Sequence, residues 1–203
     1  MKTKARVLSI LILAGTVAIS SCKEDANEVT APTPQSPAGE TELITDVNLN
    51  FTDVVSGETI TATFSDSDGD GGIAPTITGI NLKTNTTYTC SIDVLDASNP
   101  SAVDTITIEI SEEDEDHQFF YIGSNLAPAT ITTTYVDLDE NSKPVGLISS
   151  WAVGSGVSPS NATMKITLRH EPNKDGANVS NGDITNAGGE TDVEIDFPIS
   201  ITN

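Results

Sequence analysis

Residues 192–201 read DVEIDFPISI, a run in which apolar residues occupy every second position. The apolar positions are Val193, Ile195, Phe197, Ile199 and Ile201. A period of two places these side chains on one face of an extended chain, which predicts a β-strand with one buried face. Pro198 falls on the opposite face and cannot donate a ladder hydrogen bond, so it predicts an edge position for this strand.

The same period of two recurs along the chain. It is most regular at residues 59–64, 88–94, 105–110 and 164–169, and less regular at residues 43–51, 75–82, 117–122, 129–137 and 147–153. β-Branched residues dominate these segments, and we expect no amphipathic helix among them. About ten short strands separated by turn residues predict an all-β fold, an antiparallel β-sandwich of the immunoglobulin-like or a similar type.

The first 21 residues have the features of an export signal. Three basic residues lie within the first six positions, and an apolar run follows at residues 7–19, too short to span a bilayer comfortably. The run ends in two serines and Cys22. This combination resembles the signal peptide of bacterial lipoproteins. The resemblance implies that Cys22 is acylated, becomes the mature N-terminus and anchors the protein in a lipid bilayer.

The segment after Cys22 predicts where the anchored protein is displayed. Lys23, Glu24 and Asp25 resemble the surface-export signal of Bacteroidetes lipoproteins, which implies the outer leaflet of the outer membrane and exposure at the cell surface. If these charges only solvate a tether, the protein stays at the periplasmic face. Residues 22–41 contain three prolines and no apolar period, which predicts a disordered tether ahead of a folded domain at residues 42–203.

Two segments of the predicted domain are similar to each other. Residues 61–68 read TATFSDSD and residues 132–139 read TTTYVDLD. This similarity suggests a two-fold internal repeat whose halves meet near residues 123–128. Two separate small β-domains are the alternative, but each would bury little surface, which favours a single sandwich.

The charge balance excludes one class of partner. The chain has 9 Lys and Arg against 30 Asp and Glu, a net charge of −21. Nucleic acids are bound through basic surfaces, so no nucleic-acid partner is expected. The chain also lacks the His-Glu-x-x-His, Gly-x-Ser-x-Gly and P-loop motifs, which favours a protein that is not an enzyme. A hydrolase built around His117 or His170 is a minor alternative.

The loop at residues 66–72, DSDGDGG, is the sharpest candidate for a ligand site. Asp66, Asp68 and Asp70 alternate on a glycine-bent backbone, as in the first half of an EF-hand loop, and predict a Ca²⁺ site. The position that needs a bidentate glutamate is Ile77, however, and Asp-Gly is also a hairpin-turn signal. A plain turn is therefore the alternative.

Three further residues have chemistry of interest. Five acidic residues at 112–116 precede His117, which makes His117 a candidate nitrogen ligand of a divalent cation, with a solvated loop as the alternative. His170 lies at a strand end in the inward phase, and it can join His117 only if the fold brings the two together. Cys90 lies in the apolar phase of its strand, which predicts a buried, unreactive thiol.

As a whole, the chain resembles flavobacterial surface lipoproteins of unknown function. The resemblance rests on the signal peptide with its acidic start and on residues 42–47, 66–72, 85–89 and 116–120. Some of these proteins carry the label of a type 1 periplasmic binding domain, an α/β fold that the strand pattern does not support. Anchor, tether and β-domain together favour a non-enzymatic surface binding module, an accessory to an outer-membrane transporter that captures a solute or a metal. A structural or adhesive surface protein is the alternative.

Overall fold

The structure is a computed structural model that describes residues 43–69, 72–127 and 129–203. Cys22, the export signal at residues 23–25, the tether predicted at residues 22–41 and Asp70 lie outside the described residues. In the described part of the chain, no helix is long and apolar enough to cross a membrane.

The prediction of an all-β, sandwich-like fold is confirmed. The elements are β1 (Asp46–Asp53), β2 (Thr59–Ser65), β3 (Thr76–Ile77), β4 (Ile80–Lys83), β5 (Thr87–Leu95), α1 (Ile106–Glu112), β6 (His117–Ser124), β7 (Ile131–Tyr135), β8 (Ile148–Val153), β9 (Thr163–His170) and β10 (Glu190–Thr202). The large sheet has the strand order β3-β2-β1-β5-β8-β7, and the small sheet has the order β4-β10-β9-β6. Every pair of neighbouring strands is antiparallel except β4 and β10, which run parallel.

One segment predicted as a single strand, residues 75–82, contributes to both sheets. Its first part is β3 in the large sheet, and its second part is β4 in the small sheet. The chain passes between them at Gly79, where a Cβ atom would lie 3.0 Å from the carbonyl oxygen of Pro198. The absence of a side chain at Gly79 is what lets the backbone approach β10 so closely.

The two sheets share one hydrophobic core. Buried residues of the large sheet, such as Phe51 and Trp151, belong to the same cluster as Ile166 and Phe197 of the small sheet. Tyr121 on β6 packs edge-on against Trp151 on β8, with ring centroids 5.4 Å apart. The core also contains residues from both sides of the segment 123–128, where the two halves of the suggested repeat meet.

The strand expected at residues 105–110 is wrong, because α1 begins at Ile106. Ile106 and Ile110 are buried, as residues four apart on one helix face should be, whereas Ile108 is 57% exposed. Thr107 decides between the two conformations, because its hydroxyl accepts a hydrogen bond from Val94 N and donates one to Val94 O. A tertiary contact with β5 thus overrides a six-residue pattern that is too short to distinguish helix from strand.

The edge position expected from Pro198 is also wrong, because β10 lies between β4 and β9. Residues 190–198 pair with β9, and residues 199–202 pair with β4. Pro198 is the last residue of the first ladder and precedes the second. At Pro198, β10 is not yet paired with β4. The missing N–H of Pro198 therefore interrupts no ladder on the side of β4.

Cys90 provides a direct check on the register of β5. The side chain is fully buried, and burial raises the pKa of its thiol to about 12, against a smaller opposing effect of Ser149. In a Cys22→Ala chain, we expect a chromogenic disulfide reagent to leave the native protein unmodified at pH 8 and to modify one thiol after denaturation. Rapid modification of the native protein would contradict the burial of Cys90 and therefore the register of β5.

Candidate metal centre

The described part of the predicted calcium loop forms a turn. Gly69 N donates a hydrogen bond to Asp66 O at 3.2 Å, and Ile73 N donates one to the Asp68 carboxylate at 3.2 Å. Gly69 has a φ of +60°, which suits glycine. The third predicted ligand, Asp70, lies outside the described residues. The Ca²⁺ site at this loop therefore stays a prediction.

The acidic run at residues 112–116 adds no carboxylate to the group of potential metal ligands around His117. It spans the end of α1 and a short 3-10 segment, Asp114–Asp116, and its side chains are exposed or partly exposed. His117 itself is buried and faces the interior of the sandwich. Among the described residues, it forms one group of potential metal ligands, together with His170 and Asp192.

Strand pairing brings the two histidines together. His117 is the first residue of β6, His170 is the last residue of β9, and the two are direct cross-strand partners. Their side chains point to the same face of the small sheet, because opposed residues of an antiparallel pair share a face. The rings stack with centroids 4.8 Å apart and planes inclined by 25°.

A β-bulge supplies Asp192, which the sequence pattern assigned to the outward face of its strand. Thr191 pairs with Arg169 and Val193 pairs with Leu168, so Asp192 is an extra residue without a partner in the ladder. A bulge interrupts the alternation and can redirect a side chain. The Asp192 side chain is consequently only 12% exposed and reaches the histidine pair. The alternation at residues 192–201 contains no signal for the bulge.

The ligand atoms of the three residues lie close together. His117 Nε2 is 3.8 Å from Asp192 Oδ2, and His170 Nδ1 is 4.0 Å from Asp192 Oδ1. One ligand atom from each residue can be chosen so that all three lie within 4.8 Å of one another. Both His–Asp distances are too long for good hydrogen bonds. They are close to the ligand–ligand distance of about 3.4 Å expected around a tetrahedral zinc ion.

The hydrogen bond on the far side of His117 fixes which ring nitrogen is free. His117 Nδ1 lies 3.0 Å from Glu113 O. A carbonyl oxygen can only accept, so Nδ1 carries the hydrogen, and in the neutral ring Nε2 has its lone pair on the side of Asp192. A backbone carbonyl on the second ring nitrogen is a common way to orient a metal-ligating histidine. The end of α1 thus places His117 in the ligating tautomer.

The carboxylate of Asp192 is in an unfavourable environment without a cation. Its Oδ2 atom is buried and accepts no hydrogen bond from the described residues. Burial raises the pKa of Asp192, and Glu190 raises it further, while His117 and His170 lower it. A buried carboxylate that lacks hydrogen bonds costs stability. A bound cation would offset this cost.

The donor set selects a class of metal. Two imidazole nitrogens and one carboxylate oxygen suit zinc and neighbouring transition metals, whereas Ca²⁺ and Mg²⁺ prefer ligand sets made only of oxygen. The imidazole lone pairs lie in the ring planes, and planes inclined by only 25° do not converge on one nearby ion. Coordination therefore requires one ring to turn. We expect His170 to be the ring that turns, because 35% of its side chain is exposed, whereas His117 is 9% exposed and held by Glu113.

A buried ion pair supports this end of the small sheet. Lys174, in the loop from β9 to β10, donates to Asp139 Oδ2 at 2.9 Å and to Asp114 O at 2.5 Å. The two side chains are 5% and 1% exposed. Lys174 thus ties the loop that follows His170 to the 3-10 segment that precedes His117. Lys174 was not predicted from the sequence to have a role.

Comparisons with protein-family models, with curated proteins and with solved structures find no match to this chain. The resemblance to flavobacterial surface lipoproteins consequently stays a prediction. The proposal of a metal site rests on the geometry of His117, His170 and Asp192.

Proposed function

We propose that this protein is a lipid-anchored, non-enzymatic binding module at the outer surface of the outer membrane. Its ligand is a divalent transition-metal ion of the zinc class, held by His117, His170 and Asp192. The observation that carries the proposal is the carboxylate of Asp192, which a bulge turns toward the two histidines and whose buried Oδ2 atom accepts no hydrogen bond from the described residues.

The three protein ligands leave room for a fourth ligand on the bound metal ion. Three protein ligands leave one position of a tetrahedral ion open to water or to another donor. His170 has the most exposed side chain of the three ligands, so we expect the metal ion to exchange with solvent on that side. An ion that is held by three ligands near the surface can be passed on, which suits an accessory to an outer-membrane transporter.

The location of the protein rests on the sequence. The charged start, the short apolar run and Cys22 support a lipid anchor, and residues 23–25 support export to the surface. Several acyl chains anchor a protein stably, whereas one chain binds a membrane only marginally.

One cell experiment tests location and ligand together. Outer membranes are isolated from cells grown in zinc-containing medium that express either the untagged wild-type chain or the His117→Gln chain. The wild-type membranes are expected to retain about one more zinc ion per molecule of this protein, measured by elemental mass spectrometry. The His117→Gln chain should be present in equal amount without this zinc. Protease added to intact cells should remove the wild-type domain, and Cys22→Ala should free it from the membrane.

The two parts of the proposal fail separately. Equal zinc in wild-type and His117→Gln membranes would refute the metal site. Complete protection from added protease would refute surface display, and membrane retention of the Cys22→Ala chain at its mature size would refute the lipid anchor.

A further inference from the structure

A cleft lies between the edge strands of the two sheets, away from the metal ligands. It opens between β6, at the edge of the small sheet, and β7, at the edge of the large sheet, and has a volume of about 290 Å³. Tyr121 and Tyr135 line it, together with Leu126 and Met164. Tyr121 is four residues after His117 on the same strand, so the cleft begins about 13 Å from the metal ligands.

The aromatic walls of the cleft are fixed in place. The Tyr135 hydroxyl donates a hydrogen bond to Phe119 O at 2.7 Å, and the Tyr121 hydroxyl donates one to Gly146 O. The two rings lie 6.1 Å apart and are tilted by 44°. Both phenol groups are thus committed to backbone carbonyls. The two side chains are thus already oriented before a ligand binds.

The rim of the cleft is polar but uncharged. Thr133 of β7 and Asn181 contribute a hydroxyl and an amide. Gly182 follows at a φ of +89°, a backbone conformation that favours glycine. No charged residue is among the described residues that line the cleft, although the chain carries 30 acidic residues.

We propose that this cleft binds an uncharged molecule of one or two rings, with its flat apolar face on the tyrosines and its hydroxyl or amide groups toward Thr133 and Asn181. The volume is at the lower limit of about 300 Å³ for small-molecule sites, which restricts the ligand to this size. The lack of charge selects against ions, because a charged group would lose water without gaining a partner. The proposal does not depend on the metal site.

The selectivity can be measured on the wild-type full chain with two matched pairs of probes. Glucose and glucuronate differ in one charge, as do benzyl alcohol and benzoate. For a ligand of about 12 non-hydrogen atoms, we expect at least one uncharged probe to bind with a Kd of about 1 mM in saturation-transfer NMR. Its charged counterpart should bind at least tenfold more weakly. The tighter of the two uncharged probes identifies a sugar-like or an aromatic ligand.

A matched pair of variants locates the binding. Thr133→Phe fills the cleft and should weaken binding of the preferred probe at least tenfold. Thr134→Phe adds the same bulk to the exposed face of the same strand and should leave binding unchanged. The proposal is overturned if neither uncharged probe binds, if the charged probes bind equally well, or if folded Thr133→Phe binds like the wild type. The comparison of probes needs no variant and decides the question even if Thr133→Phe fails to fold.

Discussion

Replacing Lys174 with methionine is expected to lower the free energy of unfolding by about 3–5 kcal/mol. The methionine removes the cation and leaves the Asp139 carboxylate buried with only part of its hydrogen bonds, those from Asn141 N and Lys143 N. It also leaves Asp114 O without its partner. For a domain of this size, such a loss should lower the melting temperature by about 10 °C in a thermal scan followed by circular dichroism.

The neighbouring Lys143 provides the control. It pairs with Asp175 in the same region, but the two side chains are 31% and 82% exposed. Exposed ion pairs contribute about 0–1 kcal/mol, so Lys143→Met should shift the melting temperature by no more than about 2 °C. Equal effects of the two substitutions would contradict the role assigned to Lys174.

The same ion pair predicts the response of stability to acid. Burial by itself would raise the pKa of Asp139, but hydrogen bonds from Lys143 N, Lys174 and Asn141 N outweigh it and hold the pKa below the usual value of 3.8. The contribution of Asp139 to stability is therefore present above pH 3.8 and lost as the pH falls through the lower folded-state pKa. Lys174→Met should remove much of this contribution and reduce the acid dependence.

Zinc is expected to stabilise the wild-type protein by about 2.7 kcal/mol at a free concentration one hundred times its Kd. The corresponding rise in melting temperature is about 5–10 °C. Each of His117→Gln and His170→Gln should abolish most of this rise, because a transition-metal ion with two protein ligands is held weakly. Magnesium at the same concentration should have little effect, since it prefers oxygen ligands.

The Asp192→Asn substitution tests whether the carboxylate of Asp192 serves metal binding or the stability of the fold. In metal-free buffer, the melting temperature should stay unchanged or rise, because the substitution removes a buried charge whose Oδ2 atom accepts no hydrogen bond from the described residues. The response to zinc should disappear. Asp196→Asn, on the same strand with a side chain that is 57% exposed, should keep the full zinc response. A strong loss of stability in metal-free Asp192→Asn would mean that the carboxylate is structural.

The strand pattern predicted most of the fold because the pattern reports burial of one face directly. The apolar residues of β5 and β9 that occupy the predicted inward positions, Tyr88 to Val94 and Met164 to Leu168 at every second residue, are buried. The pattern failed where the backbone departs from regular geometry. Residues 106–110 have apolar positions compatible with a helix and a strand, and a hydrogen bond from Thr107 to β5 decides the outcome.

The site was predictable only in part. His117 was identified as a candidate ligand, but the carboxylate grouped with it in space is that of Asp192 and not one from the acidic run before it. His170 joins His117 because β6 pairs with β9, which no local pattern determines. Asp192 joins them through a bulge in β10 that reverses its expected orientation. Cross-strand register and bulges depend on contacts distant in sequence, so sequence reasoning could name one ligand and not the complete site.

Titration of the untagged full chain with Co²⁺ tests the metal site most directly, because the visible spectrum of Co²⁺ reports its coordination geometry. We predict saturation at one ion per chain, with the intense visible absorption of a four- or five-coordinate site, competition by Zn²⁺, and loss of the absorption in Asp192→Asn but not in Asp196→Asn. A spectrum like that of the hydrated ion, or an unchanged absorption in Asp192→Asn, would contradict binding by His117, His170 and Asp192.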